Sequence, residues 1–136
     1  NNPRDWPIAK KYGLIPTMTS GAGSIADACN RKDLHNKLLK EFEMNIPRAA
    51  ENGIPNVITF SGNRKGISDG EGLENTILIL NRAKSIAEKH GVTICMEFLN
   101  SKVDHPDYMF DHMNWGVEVI KRVNSPRVKI LYDAYH

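Results

Sequence analysis

Cysteine is scarce in this chain. Only Cys29 and Cys95 occur among 136 residues, 66 positions apart and with no CxxC spacing. A multi-disulfide framework is excluded; two thiols in a reducing compartment are expected, with a single long-range disulfide possible but unsupported. No apolar run approaches the ~20 residues that span a bilayer. An excess of one charge is also lacking: 18 Lys+Arg stand against 16 Asp+Glu, a net +2, and the basic residues form no block. Nucleic acid and membrane surfaces therefore have no electrostatic footprint here. Low-complexity stretches, sequence repeats and linkers are missing too. The opening Asn1-Asn2-Pro3-Arg4-Asp5-Trp6-Pro7 shows neither an initiator Met nor the pattern of a secretory leader. The expectation is a cytoplasmic protein, with export of a longer precursor left open.

What is present fits one globular α/β domain over residues 1–136. Hydrophobic residues make up 40% and charged residues 25%, as in ordinary folded proteins. Four apolar runs read as strands, at residues 14–18, 56–60, 92–96 and 128–132. The last three are rich in β-branched and aromatic side chains, and the middle two are almost continuously apolar, as in strands covered on both faces. Pro16 interrupts the first.

Three helical stripes lie between the strands. Leu34, Leu38, Phe42 and Ile46 form one, which Pro47 is expected to kink or split. Leu73, Ile77, Leu80, Ala83 and Ala87 form the second, stopped by Gly91. Met109, Met113, Val117, Ile120 and Val123 form the third, with Pro106 in its first turn. A further helix tail is expected over residues 8–13. The alternation predicts parallel strands with right-handed crossovers.

Ligands of parallel α/β sheets gather beyond the carboxyl ends of the strands, so chemistry is sought there. Glu97 and Asp133 each follow a mostly apolar strand. Two carboxylates at one sheet end repel unless a proton or a hard divalent cation lies between them. Separate pairing of each acid with Lys or Arg is the alternative. His136 follows Asp133 by three residues and can converge on the same centre, or stand without a role. Asn100, three after Glu97, suits either a substrate hydroxyl or a turn. Residues 20–24 contain a lone GxG without the third glycine of a dinucleotide fingerprint and read as a flexible loop. Residues 66–72 read as a loop. His35, His90 and His112 read as surface histidines, while His105 lies in the loop after the third strand. No Ser-His-Asp or Cys-His set can be assembled at strand ends.

Residues 92–100, V-T-I-C-M-E-F-L-N, resemble the strand and Glu-Pro-Leu-Asn turn of hydroxypyruvate isomerase-like proteins. Residues 128–136, V-K-I-L-Y-D-A-Y-H, resemble their next strand, which ends Tyr-Asp-x-Tyr-His. Residues 104–108 are similar to their Asp-x-Pro-Gly-Tyr loop, and Phe60-Ser61-Gly62 to the preceding strand end. These proteins belong to the xylose isomerase-like TIM-barrel group of sugar isomerases and epimerases. The resemblance implies an α/β fold in which this chain is the central part of a (β/α)8 barrel, strands three to six of eight. It implies a divalent cation (Mg, Mn, Co or Zn) held by Glu97 and Asp133. It also implies a catalytic Glu97, His136 acting on a substrate oxygen, Asn100 near the substrate, and isomerisation through a metal-stabilised enediolate. The substrate would be a small sugar or hydroxy-keto acid, with homo-oligomer formation left open.

Phe98 in place of proline and Asp107 in place of glycine depart from the pattern. A third metal ligand and a second glutamate, which the group carries on later strands, have no counterpart up to His136. Two other readings stay open: a small α/β binding module, and an abasic-site endonuclease of the same superfamily. The near-neutral charge speaks against the second.

Overall fold

A computed structural model describes residues 3–136. A 3₁₀ turn, Pro3–Asp5, leads into helix α1 (Trp6–Lys11). Strand β1 (Thr19–Ala22), helix α2 (His35–Glu51), strand β2 (Asn56–Thr59) and helix α3 (Asp69–His90) follow. Strand β3 (Thr93–Glu97), helix α4 (Met113–Val123) and strand β4 (Val128–Leu131) complete the order. The four strands form one sheet in the order β1-β2-β3-β4, every pair parallel. This is an α/β arrangement consistent with part of a TIM barrel. Among the described residues no helix is long and apolar enough to cross a membrane.

Period-2 alternation gives the sheet two unlike faces. Val57, Ile94, Met96 and Val128 are fully buried and pack with Leu38, Phe42, Ile46, Leu80, Ala83 and Val119 of the helices. The opposite face carries Asn56, Thr93, Cys95 and Glu97, with Lys129 and Leu131 in register beside Cys95 and Glu97. Cys29 and Cys95 are both free thiols.

Several expectations need correction. The first strand is not at residues 14–18: Leu14 and Ile15 are 64% and 76% exposed, and Pro16 offers no N–H to a ladder. The strand is instead Thr19–Ala22, so three of the five residues of the expected flexible loop at 20–24 are sheet. Gly21 is its bulge residue, since Ser20 pairs with Ile58 and Ala22 with Thr59. A Cβ at Gly21 would lie 2.7 Å from the Ile58 carbonyl oxygen, so only glycine fits this approach.

Helix α2 runs unbroken through Pro47. Phe42, Ile46 and Ala49 around it are wholly buried, and that packing outweighs the roughly 3 kcal/mol an interior proline costs. Helix α3 starts earlier than its stripe suggests, at Asp69, where the Ser68 hydroxyl caps the Glu71 N–H. Helix α4 starts only at Met113. Residues 104–112 are loop, because Tyr108 pairs with Asn63 in an antiparallel bridge. His35 is no surface residue: it is buried, with Nε2 3.0 Å from the Cys29 carbonyl oxygen. The α1 tail and the Gly91 stop, in the left-handed region at φ 67°, agree with expectation.

Candidate metal and substrate site

Glu97 is the last residue of β3 and pairs with Leu131. Alternation sends Asp133, two residues beyond Leu131, to the same side of the sheet. The chain then turns, His136 N–H donating to the Asp133 carbonyl (3.1 Å) and Tyr135 N–H to Asp133 Oδ1 (2.9 Å). One ligand atom each from Glu97, Asp133 and His136 lie within 4.8 Å of one another. The structure thus brings Glu97, Asp133 and His136 together, with Asn100 against His136.

The electrostatics of this cluster favour a cation. Burial raises the Glu97 pKa, and the Asp133 charge pushes it further, while His136 and His105 act in the opposite direction. The Glu97 and Asp133 carboxylates are ordinary donors for Mg, Mn, Co or Zn, and the His136 imidazole stands beside them. The donor set therefore fits a divalent ion.

Asn100 sits behind the cluster, fully engaged. Its Oδ1 accepts from the N–H groups of Val103 and Asp104, both at 3.1 Å. Its Nδ2 lies 2.8 Å from Asp104 Oδ2 and 3.1 Å from His136 Nδ1. The His105 ring lies 5.7 Å from that of His136. His112 is exposed beside Asp111, and His90 is half-buried at the end of α3.

Sequence reasoning touched Ser61 and Tyr108 only as parts of motifs and passed over Arg64, yet these residues fasten this end of the sheet. Tyr108 is wholly buried; its hydroxyl donates to the Glu97 carbonyl (2.7 Å) and accepts from Ser61 N–H (3.0 Å). Burial keeps its phenol protonated far above the ordinary tyrosine range. The Ser61 hydroxyl accepts from Phe110 N–H at 2.9 Å. Arg64 joins three segments: Asp69 at the start of α3 (2.7 Å), Asp111 (3.0 Å), and the Tyr108 and Met109 carbonyls. The available signal was an arginine just past a strand end, with several aspartates in the facing loops. A hollow of about 700 Å³ lies elsewhere, between α1 and the end of α2, and contains none of these residues.

The profile of the xylose isomerase-like TIM barrel family matches residues 7–136. No curated protein matches the chain by sequence. Among solved structures, an AP endonuclease, family 2, from Brucella melitensis superposes with a TM-score of 0.82 at 22% identity, covering 99% of this chain and 56% of that one. A D-tagatose 3-epimerase-like protein superposes with 0.76 at 16% identity, over 95% and 50% of the two chains. An IOLI protein with a bound zinc atom gives 0.76 at 19% identity, over 96% and 46%. The chain thus spans about half the length of these structures. At such identities the likeness is one of fold.

Proposed function

This chain belongs to the xylose isomerase-like TIM barrel family, and from that premise we propose that it forms the metal-holding part, strands three to six, of a barrel enzyme. The enzyme isomerises or epimerises a small sugar or hydroxy-keto acid of the hydroxypyruvate type. The observation that carries this reading is the convergence of Glu97, Asp133 and His136 at the carboxyl ends of adjacent strands.

In this reading Glu97 and Asp133 hold the cation. When bound, a divalent ion polarises the substrate's carbonyl and neighbouring hydroxyl. His136 donates a hydrogen bond to a substrate oxygen beside it. Glu97 also takes a proton from the adjacent carbon. Return of the proton to the neighbouring carbon, with the hydroxyl proton passing to the former carbonyl oxygen, completes an isomerisation; in an epimerisation Glu97 keeps its proton and a second acid, from the rest of the barrel, delivers another to the opposite face. Phosphodiester chemistry is disfavoured, since a net charge of +2 without a basic block offers no track for a nucleic-acid backbone. Two free, buried thiols suit a cytoplasmic enzyme.

The test is Glu97→Gln and Asp133→Asn in the full-length protein, with Mn²⁺ affinity measured by calorimetry and turnover on hydroxypyruvate and a ketose panel. Each variant should weaken Mn²⁺ binding by about 100-fold or more and lower turnover by at least about 100-fold. Unchanged turnover in both variants overturns the proposal.

A further inference from the structure

We infer that Asn100, held by Asp104, is a positioning residue that sets the tautomer of His136, making the ring a hydrogen-bond donor and withholding it from the metal. The inference rests on the metal-site reading above only for its chemical consequence. Its basis is a complete census of the Asn100 amide. Two backbone N–H groups, of Val103 and Asp104, point at one end of that amide. A backbone N–H only donates, so that end is the oxygen. The other end is the NH₂ group, and it faces two acceptors: the Asp104 carboxylate at 2.8 Å and His136 Nδ1 at 3.1 Å. The backbone N–H of Asn100 also faces Nδ1, at 3.4 Å.

His136 Nδ1 therefore meets two donors and no acceptor among its hydrogen-bond partners. It must present its lone pair to them. In the neutral ring the single proton then sits on Nε2. The ring has no second lone pair left for a cation. This inverts the usual arrangement of a ligating histidine, which donates its remote N–H to a carboxylate or carbonyl. Asp104 stabilises the inversion by taking the other amide hydrogen. Asp104 is in turn hydrogen-bonded to Tyr135, whose ring stands edge-on to His136 at 5.0 Å. The three-member cluster thus contains two metal ligands and one fixed donor.

Replacing Asn100 with Asp reverses the polarity. One carboxylate oxygen keeps the Val103 and Asp104 N–H groups, and the other replaces the 3.1 Å side-chain donor at Nδ1 with a charged acceptor, which outweighs the longer backbone N–H contact at 3.4 Å. The proton moves to Nδ1 and the Nε2 lone pair is released. Asp104→Asn accompanies the change, so that no like charge faces the new carboxylate.

The test reads the tautomer of neutral His136 directly, by long-range ¹H–¹⁵N correlation in the metal-free, full-length protein at a pH well above the ordinary imidazole range. The wild type should show the Nε2–H form, and the Asn100→Asp/Asp104→Asn pair the Nδ1–H form. Zinc affinity of the pair, titrated with Zn²⁺ alone, should rise about ten-fold as the third ligand becomes free. An Nδ1–H wild type, or a folded double variant with an unmoved tautomer, overturns the inference. A moved tautomer without tighter Zn²⁺ binding overturns the withheld-ligand part. The wild-type spectrum decides the matter alone if the double variant does not fold. Because the tautomer is read without metal or substrate, failure of the Glu97–Asp133 site appears separately, as absent Zn²⁺ binding in the wild type.

Discussion

Tyr108→Phe removes a single oxygen from the interior and should have a disproportionate effect. The Tyr108 hydroxyl is the only described side chain that ties the end of β3 to the end of β2, through the Glu97 carbonyl at 2.7 Å and the Ser61 N–H at 3.0 Å. The ring is wholly buried, and phenylalanine fills the same space, so no cavity opens. What changes is that a carbonyl and an amide each lose a partner in a site closed to solvent. Leaving a buried polar group unpaired costs about 1–3 kcal/mol. Two such groups, less the gain from a more apolar ring, give a net loss of about 2–3 kcal/mol. For a chain of this size that is a fall in Tm of roughly 6–15 °C, out of a total stability of about 5–15 kcal/mol. Urea unfolding with the slope held constant is the direct assay, and Mn²⁺ affinity is the second, since Glu97 loses its anchor. A loss below about 0.5 kcal/mol, within the range of an uninvolved surface change, would refute the reasoning.

Two further outcomes follow from the packing and charge of the same loops. Burial works to raise the Asp111 carboxyl, but hydrogen bonds from Arg64, Ser101 and His112 outweigh it and lower the pKa from 3.8 to about 2. Between those values the unfolded chain binds more protons than the folded one. Stability from Asp111 is therefore present above pH ~4 and lost as the pH falls towards 2, by up to about 2 kcal/mol. Asp111→Asn should flatten that decline in acid unfolding, and an unchanged slope counts against the Arg64 clamp. Glycines in the helices should respond with opposite signs. At Gly116 a Cβ would lie 2.1 Å from the Phe110 ring, which is flanked by Phe98 and Trp115 at 5.7 Å each. Gly116→Ala should thus destabilise by about 1–3 kcal/mol. At Gly70 nothing lies within 4 Å, and Gly70→Ala should stabilise by about 0.5–1 kcal/mol. Thermal melts of the pair that move in the same direction contradict the packing argument.

The elements legible in the amino-acid order are those whose burial is local in cause. Val57, Ile94, Met96 and Val128 sit in β-rich runs with apolar helices on one side, and their strands fall within a residue or so of expectation. Strand β1 was not legible, because Thr-Ser-Gly-Ala has little β propensity; a bulge and a partner already in place at β2 decide its position. The start of α4 escaped for a similar reason: the antiparallel bridge from Tyr108 to Asn63 straightens residues that otherwise continue a helical stripe. At the site, Glu97, Asp133 and His136 were readable from their place after strands. The full engagement of Asn100 was not, since it depends on a loop folding back from Val103 and Asp104 while His136 arrives from another strand.

The strand order has a kinetic meaning. Because each strand pairs with the next in the chain, paired residues stand 38, 37 and 34 positions apart at Thr19 with Val57, Asn56 with Thr93, and Ile94 with Val128. Closure entropy varies only with the logarithm of loop length, about 0.6 kcal/mol per doubling, so the three pairings are nearly degenerate in that cost. No strand among these four waits for a partner at the far end of the chain. Assembly can start at any neighbouring pair and grow outward by accretion, one strand and helix at a time. The Glu97 and Asp133 carboxylates, at the ends of the last pair, come into register in a single such step.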